Sequence, residues 1–145
     1  MATQPVIRRS SSSTETELIA AELAATLCGG NCIALNGDLG AGKTQFVRGL
    51  VAGVAGPWRR VNSPTYSLLN IYEGGRITVF HLDAYRVKGA GDFEAIGFPE
   101  LLDQDGIVAV EWASRVMGIL PERRIDVTIE SVDMTTRLIR IEHRV

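Results

Sequence analysis

The sequence is short of cysteine, proline and aromatic residues, has almost no net charge, and contains no long apolar run. Its two cysteines, Cys28 and Cys32, cannot build a disulfide scaffold, which points to a reducing, cytoplasmic setting. Their C-x-x-x-C spacing flanks Gly29 and Gly30 with no histidine nearby, so no zinc site is expected. No stretch approaches the roughly 18 apolar residues of a membrane span, so no membrane association is expected. Fifteen Lys and Arg against seventeen Asp and Glu leave a formal charge of −2, which argues against sequence-blind capture of nucleic acid by net charge. No N-K-x-D guanine-reading motif occurs anywhere.

What is present describes one domain over residues 1–145: 46% apolar and 22% charged residues, with no repeat and no linker. The only low-complexity patch is Ser10–Ser13. The first fourteen residues are rich in Arg and Ser and faintly resemble a transit peptide, but a short strand over Pro5–Arg9 is the preferred reading. A helix should follow, opened by a capping box between Thr14 and Glu17 and striped by Ile19, Leu23 and Leu27. Gly29 and Gly30 should close it. Cys32-Ile33-Ala34-Leu35 and Ile107–Val110 are continuous apolar runs, the mark of strands covered on both faces of a parallel sheet. Val47, Leu50, Val51 and Val54 form the buried stripe of a second helix. Residues 66–72 and 76–83, joined by Glu73-Gly74-Gly75, read as a hairpin. Pro121 ends a short helix, Ile125, Val127 and Ile129 alternate as a strand, and a last strand spans Arg137–Glu142. The fold expected is α/β: a single phosphate-loop domain with a mostly parallel central sheet, antiparallel edge strands and helices on both faces.

The strongest local signal is Gly37-Asp38-Leu39-Gly40-Ala41-Gly42-Lys43-Thr44, a full G-x-x-x-x-G-K-[ST] match between a buried strand and an amphipathic helix. A polyphosphate packs several negative charges into a small volume. Backbone N–H groups can surround it only where no Cβ intrudes, which is the part expected of Gly37, Gly40 and Gly42. The amides opening the following helix add their dipole, Lys43 adds a point charge, and the Thr44 hydroxyl is placed to ligate Mg²⁺.

Such a loop needs acids. Glu111 ends the second buried strand, at the sheet edge where ligands of open α/β sheets collect; a plain solvent-facing acid is the bland alternative. Asp83 closes the period-two series Ile77, Val79, His81, Asp83 and is either a partner of Arg86 or a magnesium ligand or water orienter. His81 reads equally as a structural histidine. Thr65, in Asn62-Ser63-Pro64-Thr65, can act as a switch-like hydroxyl or merely sit in a turn. Arg137 shares its strand face with Ile139 and Ile141, odd unless it sits at a rim, stacked on a base or paired with an acid. Trp112 and Trp58 read first as packing anchors.

Taken in order, the phosphate-loop motif, Ser63-Pro64-Thr65-Tyr66, His81-Leu82-Asp83-Ala84-Tyr85-Arg86 and Glu111-Trp112 closely resemble the TsaE family of bacterial tRNA threonylcarbamoyladenosine biosynthesis. The resemblance spans nearly the whole chain. It implies an ATPase that binds ATP with Mg²⁺ and hydrolyses it slowly, and that resets or regulates a complex of a TsaD-like transferase subunit and a TsaB-like companion. The tRNA contact would be indirect. Carried over by motif, residues 37–44 hold phosphates, with Leu39 among them. Lys43, Asp83 and Glu111 serve catalysis, and Thr44, Glu111 and Asp83 the metal. Thr65 and Trp112 lie by the nucleotide, with Thr16 and Arg137 as further matching positions. Ala113 departs from the proline common in the family after Glu-Trp.

Three rival readings share parts of this pattern. A small-molecule kinase would need an acceptor pocket and an arginine-bearing lid, for which the span between Tyr85 and Glu111 leaves little room. A GTPase is suggested by D-x-x-G at Asp103–Gly106, but that motif precedes a strand where a switch should follow one. A nucleotide-gated adaptor without turnover remains the third.

Overall fold

The computed structural model describes residues 4–38, 40–62 and 68–145. Leu39 and the Ser63-Pro64-Thr65-Tyr66 motif, including the Thr65 expectation, lie outside them. Seven strands form one sheet: β1 (Val6–Ser10), β2 (Asn31–Gly37), β3 (Leu69–Tyr72), β4 (Val79–Asp83), β5 (Ile107–Glu111), β6 (Arg124–Ser131) and β7 (Arg137–Arg144), in the order β1-β7-β6-β2-β5-β4-β3. The central four, β6, β2, β5 and β4, run parallel, while β7, β1 and β3 pair antiparallel at the two sides. This is the mixed α/β sheet anticipated from the two uninterrupted apolar runs, which became β2 and β5 at its centre.

Strand periodicity divides the core. Ile33 and Leu35 of β2 and Ile107 and Ala109 of β5 face helices α1 (Ser13–Ala25) and α2 (Lys43–Gly53). Cys32, Ala34, Val108 and Val110 face the opposite way, against α3 (Ala90–Ala95), α4 (Phe98–Leu102) and a 3-10 segment over Ala113–Ile119. Both cysteines are free, Cys28 exposed and Cys32 buried, and burial pushes the Cys32 thiol up to about 12. No helix among the described residues is long and apolar enough to cross a membrane.

Three local expectations shift. The capping box lies two residues earlier: the Ser12 hydroxyl accepts from the Glu15 N–H at 3.1 Å, and a Glu15 carboxylate oxygen accepts from the Ser11 N–H at 3.2 Å. The register moves because Thr16 is buried with its hydroxyl 2.7 Å from that of Ser10, which fixes where β1 hands over to α1. Helix α1 ends at Ala25 rather than at the glycines. Gly29 and Gly30, at φ 106° and 71°, instead turn the chain into β2. The β3–β4 hairpin is also shorter than expected, because Arg76 leaves it to donate to the carbonyls of Leu27 and Ala24 at 2.9 and 3.1 Å, closing the C-terminal end of α1.

Helices α1 and α2 touch at Gly49. A Cβ there would stand 2.2 Å from the Glu17 carbonyl oxygen and 2.7 Å from the Ala20 Cβ. Since neither backbone can yield without parting the helices, Gly49→Ala is expected to lower stability by about 2–3 kcal/mol, read as a lower urea midpoint at constant slope.

Candidate nucleotide site

The C-terminal ends of β2, β4 and β5 converge on one edge of the sheet, and Lys43, Thr44, Asp83, Glu111 and Trp112 meet there. The parallel registers place Leu35 beside Glu111 and Glu111 beside Asp83. Strand β2 ends at Gly37 and α2 begins at Lys43, so Lys43 and Thr44 open that helix directly in front of the two acids. A cavity of about 240 Å³ is lined by Gly40, Gly42, Lys43, Thr44, Gln45, Asp83, Glu111 and Trp112.

The loop is built for an anion. Gly42 is the N-cap of α2 at φ 110°, no side chain caps the helix, and its first turn holds no acid. The first-turn N–H groups therefore have no intrahelical partner and the positive end of the dipole is open. Gly40, at φ 78°, also needs the left-handed region. A Cβ on Gly40 would meet nothing within 4 Å, and one on Gly42 only the Gln45 side-chain oxygen at 3.9 Å. Gly37 does not take the positive φ expected of it. It is a strand residue outside the left-handed region, and a Cβ there would stand 2.6 Å from the Ile129 carbonyl oxygen, so its lack of a side chain lets β6 lie close.

Lys43 is buried and its ammonium donates to the carbonyls of Gly37 and Asp38 at 2.7 and 2.9 Å, 4.1 Å from the centre of the Trp112 ring. Burial pulls its pKa below the ordinary lysine value, opposed by the charges of Glu111, Asp83 and Asp38. The Thr44 hydroxyl donates to Glu111 Oε2 at 3.1 Å, and the same oxygen of that buried carboxylate meets His81 Nε2 at 2.5 Å. Asp83 accepts from the Tyr85 N–H at 2.9 Å, which holds its carboxylate in a turn at the rim.

Trp112 occupies the left-handed region at φ 56°, uncommon for a bulky side chain. The strain is held by the next turn, where the Ser114 N–H donates to Asn36 at the end of β2. The ring then lies between Lys43 and Tyr85, whose ring centre is 4.9 Å away.

On the other side of the loop a second hollow, of about 380 Å³, is lined by Ser11–Ser13, Thr16, Gly40–Gly42, Gln45, Met134, Thr135 and Arg137. Thr16 and Arg137 thus stand together beside the loop, apart from the acids. Arg137 does not project freely, and among the described residues it pairs with no acid. It donates to the carbonyls of Ala41 at 3.0 Å, Gly40 at 3.4 Å, Asp133 at 2.8 Å and Thr136 at 3.0 Å, bracing the loop from behind. The serine run, taken from the sequence only as low complexity, forms one wall of this hollow. Its position just before a helix that begins beside the loop was the available signal.

Hard oxygen ligands suit Mg²⁺, and Thr44, Glu111 and Asp83 supply only these. Among the described residues no group of three or more His, Cys, Asp and Glu is arranged for a metal ion. Mg²⁺ takes one or two carboxylates and completes its shell with water and phosphate. The residues present accordingly fit Mg²⁺ bound together with a polyphosphate. The D-x-x-G of the GTPase reading lies at the opposite sheet edge, where Gly106 accepts from Gly30 and lets the Phe80 ring approach.

A family model described as threonylcarbamoyl adenosine biosynthesis protein TsaE matches residues 10–139. Proteins named tRNA threonylcarbamoyladenosine biosynthesis protein TsaE are similar to the chain. That of Rickettsia conorii is 35% identical over 88% of this chain and 72% of its own, and that of Bacillus subtilis 38% identical over 80% and 72%. That of Treponema pallidum is 40% identical over 69% and 73%. The crystal structure of Bacillus subtilis YdiB superposes with a TM-score of 0.82 at 28% identity, covering 100% of this chain and 88% of that one. With the family model matched across most of its length, the chain belongs to the TsaE family.

Proposed function

We propose that the protein is a slowly hydrolysing, Mg²⁺-dependent ATPase of tRNA threonylcarbamoyladenosine biosynthesis. It works in the cytoplasm with a TsaD-like transferase subunit and a TsaB-like companion, which it supports or resets, and meets tRNA through them. The observation that carries the ATPase reading is the convergence of the Gly40–Thr44 segment, Glu111 and Asp83 around one cavity at the C-terminal sheet edge. The pathway reading rests on the family and on the names of its relatives.

Each side chain then has a task set by its position. The first-turn amides of α2 and Lys43 hold the phosphates, for which Lys43 must leave the carbonyls of Gly37 and Asp38. Thr44 and Glu111 hold the cation, and Asp83 shares that shell or orients the attacking water. Bound Mg-ATP supplies the phosphoryl group and the positive charge that neutralises it. Trp112, Thr16 and Arg137 flank the loop where the rest of the nucleotide extends.

The kinase reading is disfavoured by the segment that would have to form a lid. Phe93 of α3 and Phe98 and Leu101 of α4 are buried in the second core, so these helices are committed to packing. The experiment is phosphate release from ATP and from GTP, with Mg²⁺ or with EDTA, alone and with the two partner subunits. Mg²⁺-dependent release from ATP that persists with the partners is expected. Preference for GTP, or silence under every condition, would contradict the proposal, silence favouring the adaptor.

A further inference from the structure

The buried end of Glu111 is served by a chain of hydrogen bonds that the ATPase reading leaves unused. His81 lies at the centre of β4, fully buried, and lines neither hollow beside the loop. Its Nε2 meets the Glu111 carboxylate at 2.5 Å and its Nδ1 meets the Tyr72 hydroxyl at 3.3 Å. Tyr72, itself buried, receives the Asn62 N–H and the Asn70 side-chain amide, each at 3.3 Å. Asn70 and the Tyr72 hydroxyl also both donate to the Asn62 carbonyl, at 3.1 and 3.2 Å.

Donor counting orders this chain. An ionised carboxylate only accepts, so the proton between it and His81 sits on Nε2. On the other side of the ring Nδ1 meets the Tyr72 hydroxyl. The Asn62 and Asn70 N–H groups approach the Tyr72 oxygen, and the Asn62 carbonyl accepts from it, so the hydroxyl is fixed against the ring. The ring is thus held at both nitrogens, from β5 on one side and from β3 and the residue just before Ser63 on the other.

The consequence falls on Glu111. A glutamate has three rotatable bonds, and at 3% exposure its carboxylate depends on fixed donors for its orientation. Thr44 supplies one, but its oxygen is also the one placed to take the cation. His81 supplies another, to the same Oε2, from a strand position that lines neither hollow. We propose that His81 is a positioning residue: with Tyr72 behind it, it fixes the Glu111 carboxylate against Thr44 so that the acid is aimed before nucleotide arrives. This rests on the reading of Glu111 as an acid of an ATP site. Partners of a buried ligating side chain commonly matter about 10–100-fold in activity or metal affinity.

The test uses His81→Phe, His81→Gln and Tyr72→Phe in the full chain. Phosphate release by His81→Phe should fall about 10–100-fold in kcat, with a smaller loss in Tyr72→Phe. Binding of a non-hydrolysable ATP analogue should stay near wild type in both. Gln, whose amide can donate as Nε2 does, should restore most of the rate. In the nucleotide-free protein, ¹⁵N NMR of the imidazoles should report an Nε2-protonated ring for His81 whose signals move in Glu111→Gln and in Tyr72→Phe. Wild-type kcat in His81→Phe would overturn the proposal, as would equal losses in the Phe and Gln variants or a His81 spectrum indifferent to Glu111→Gln. A wild-type protein that neither binds nor hydrolyses ATP would instead sink the parent reading, and this one with it.

Discussion

Glu111→Gln is expected to abolish most phosphate release, by roughly 10²–10⁴-fold, while leaving affinity for a non-hydrolysable ATP analogue close to wild type. Glutamine preserves the volume and the oxygen that accepts from Thr44, so the fold should hold; alanine would leave His81 Nε2 and the Thr44 hydroxyl facing a hole. What glutamine removes is the negative charge at the end of β5: its amide oxygen offers a cation only a neutral dipole and cannot take a proton as a carboxylate does. Asp83→Asn is expected to act in the same direction, since asparagine can still accept from the Tyr85 N–H and so keeps the turn. The registered pair stands side by side on adjacent parallel strands. Single-turnover phosphate release beside fluorescent-nucleotide titration separates the two quantities. Wild-type turnover in both variants would defeat the assignment of the acids.

Lys43→Ala should produce the reverse pattern, loss of binding with the fold retained. In the structure the ammonium serves the carbonyls of Gly37 and Asp38, a polar contact it gives up when a phosphate takes their place. A charge-assisted hydrogen bond to a phosphate is worth about 1.5–3 kcal/mol, so affinity should fall about tenfold to a hundredfold or more. The thermal midpoint should move little. Lys43 is already buried at a cost that burial imposes on its charge, and removing the ammonium relieves that cost as it breaks the two bonds. Calorimetric titration with Mg-ATP, paired with thermal melts, reads both effects.

Those residues were legible because their signals are local. Gly42, Lys43 and Thr44 sit in one contiguous motif, and the runs ending at Glu111 and Asp83 announce their own strands through unbroken apolarity or period-two alternation. Sequence reasoning failed where a contact joins distant segments. Nothing near Gly37 says that the Ile129 carbonyl will press on it, and nothing near Arg76 says that α1 will end beneath its guanidinium. Arg137 reads as out of place on an apolar face, yet two of its four carbonyl partners lie 96 and 97 residues earlier in the main chain, which carries no side-chain signature. The capping box slipped for a similar reason, because the burial of Thr16 against Ser10 overrode an equally good local pattern at Thr14. His81 was balanced between structure and function in the sequence. Only the β3–β4 pairing that sets it opposite Asn70 and near Tyr72 makes its neighbours visible.

A crystal structure with Mg²⁺ and a non-hydrolysable ATP analogue tests the central claim most directly. The account predicts phosphates enclosed by the loop before α2, the Lys43 ammonium withdrawn from the Gly37 and Asp38 carbonyls onto them, and the cation at Thr44 on the Glu111 side. Density for the analogue elsewhere on the protein, with Lys43 still on its own loop, would contradict it.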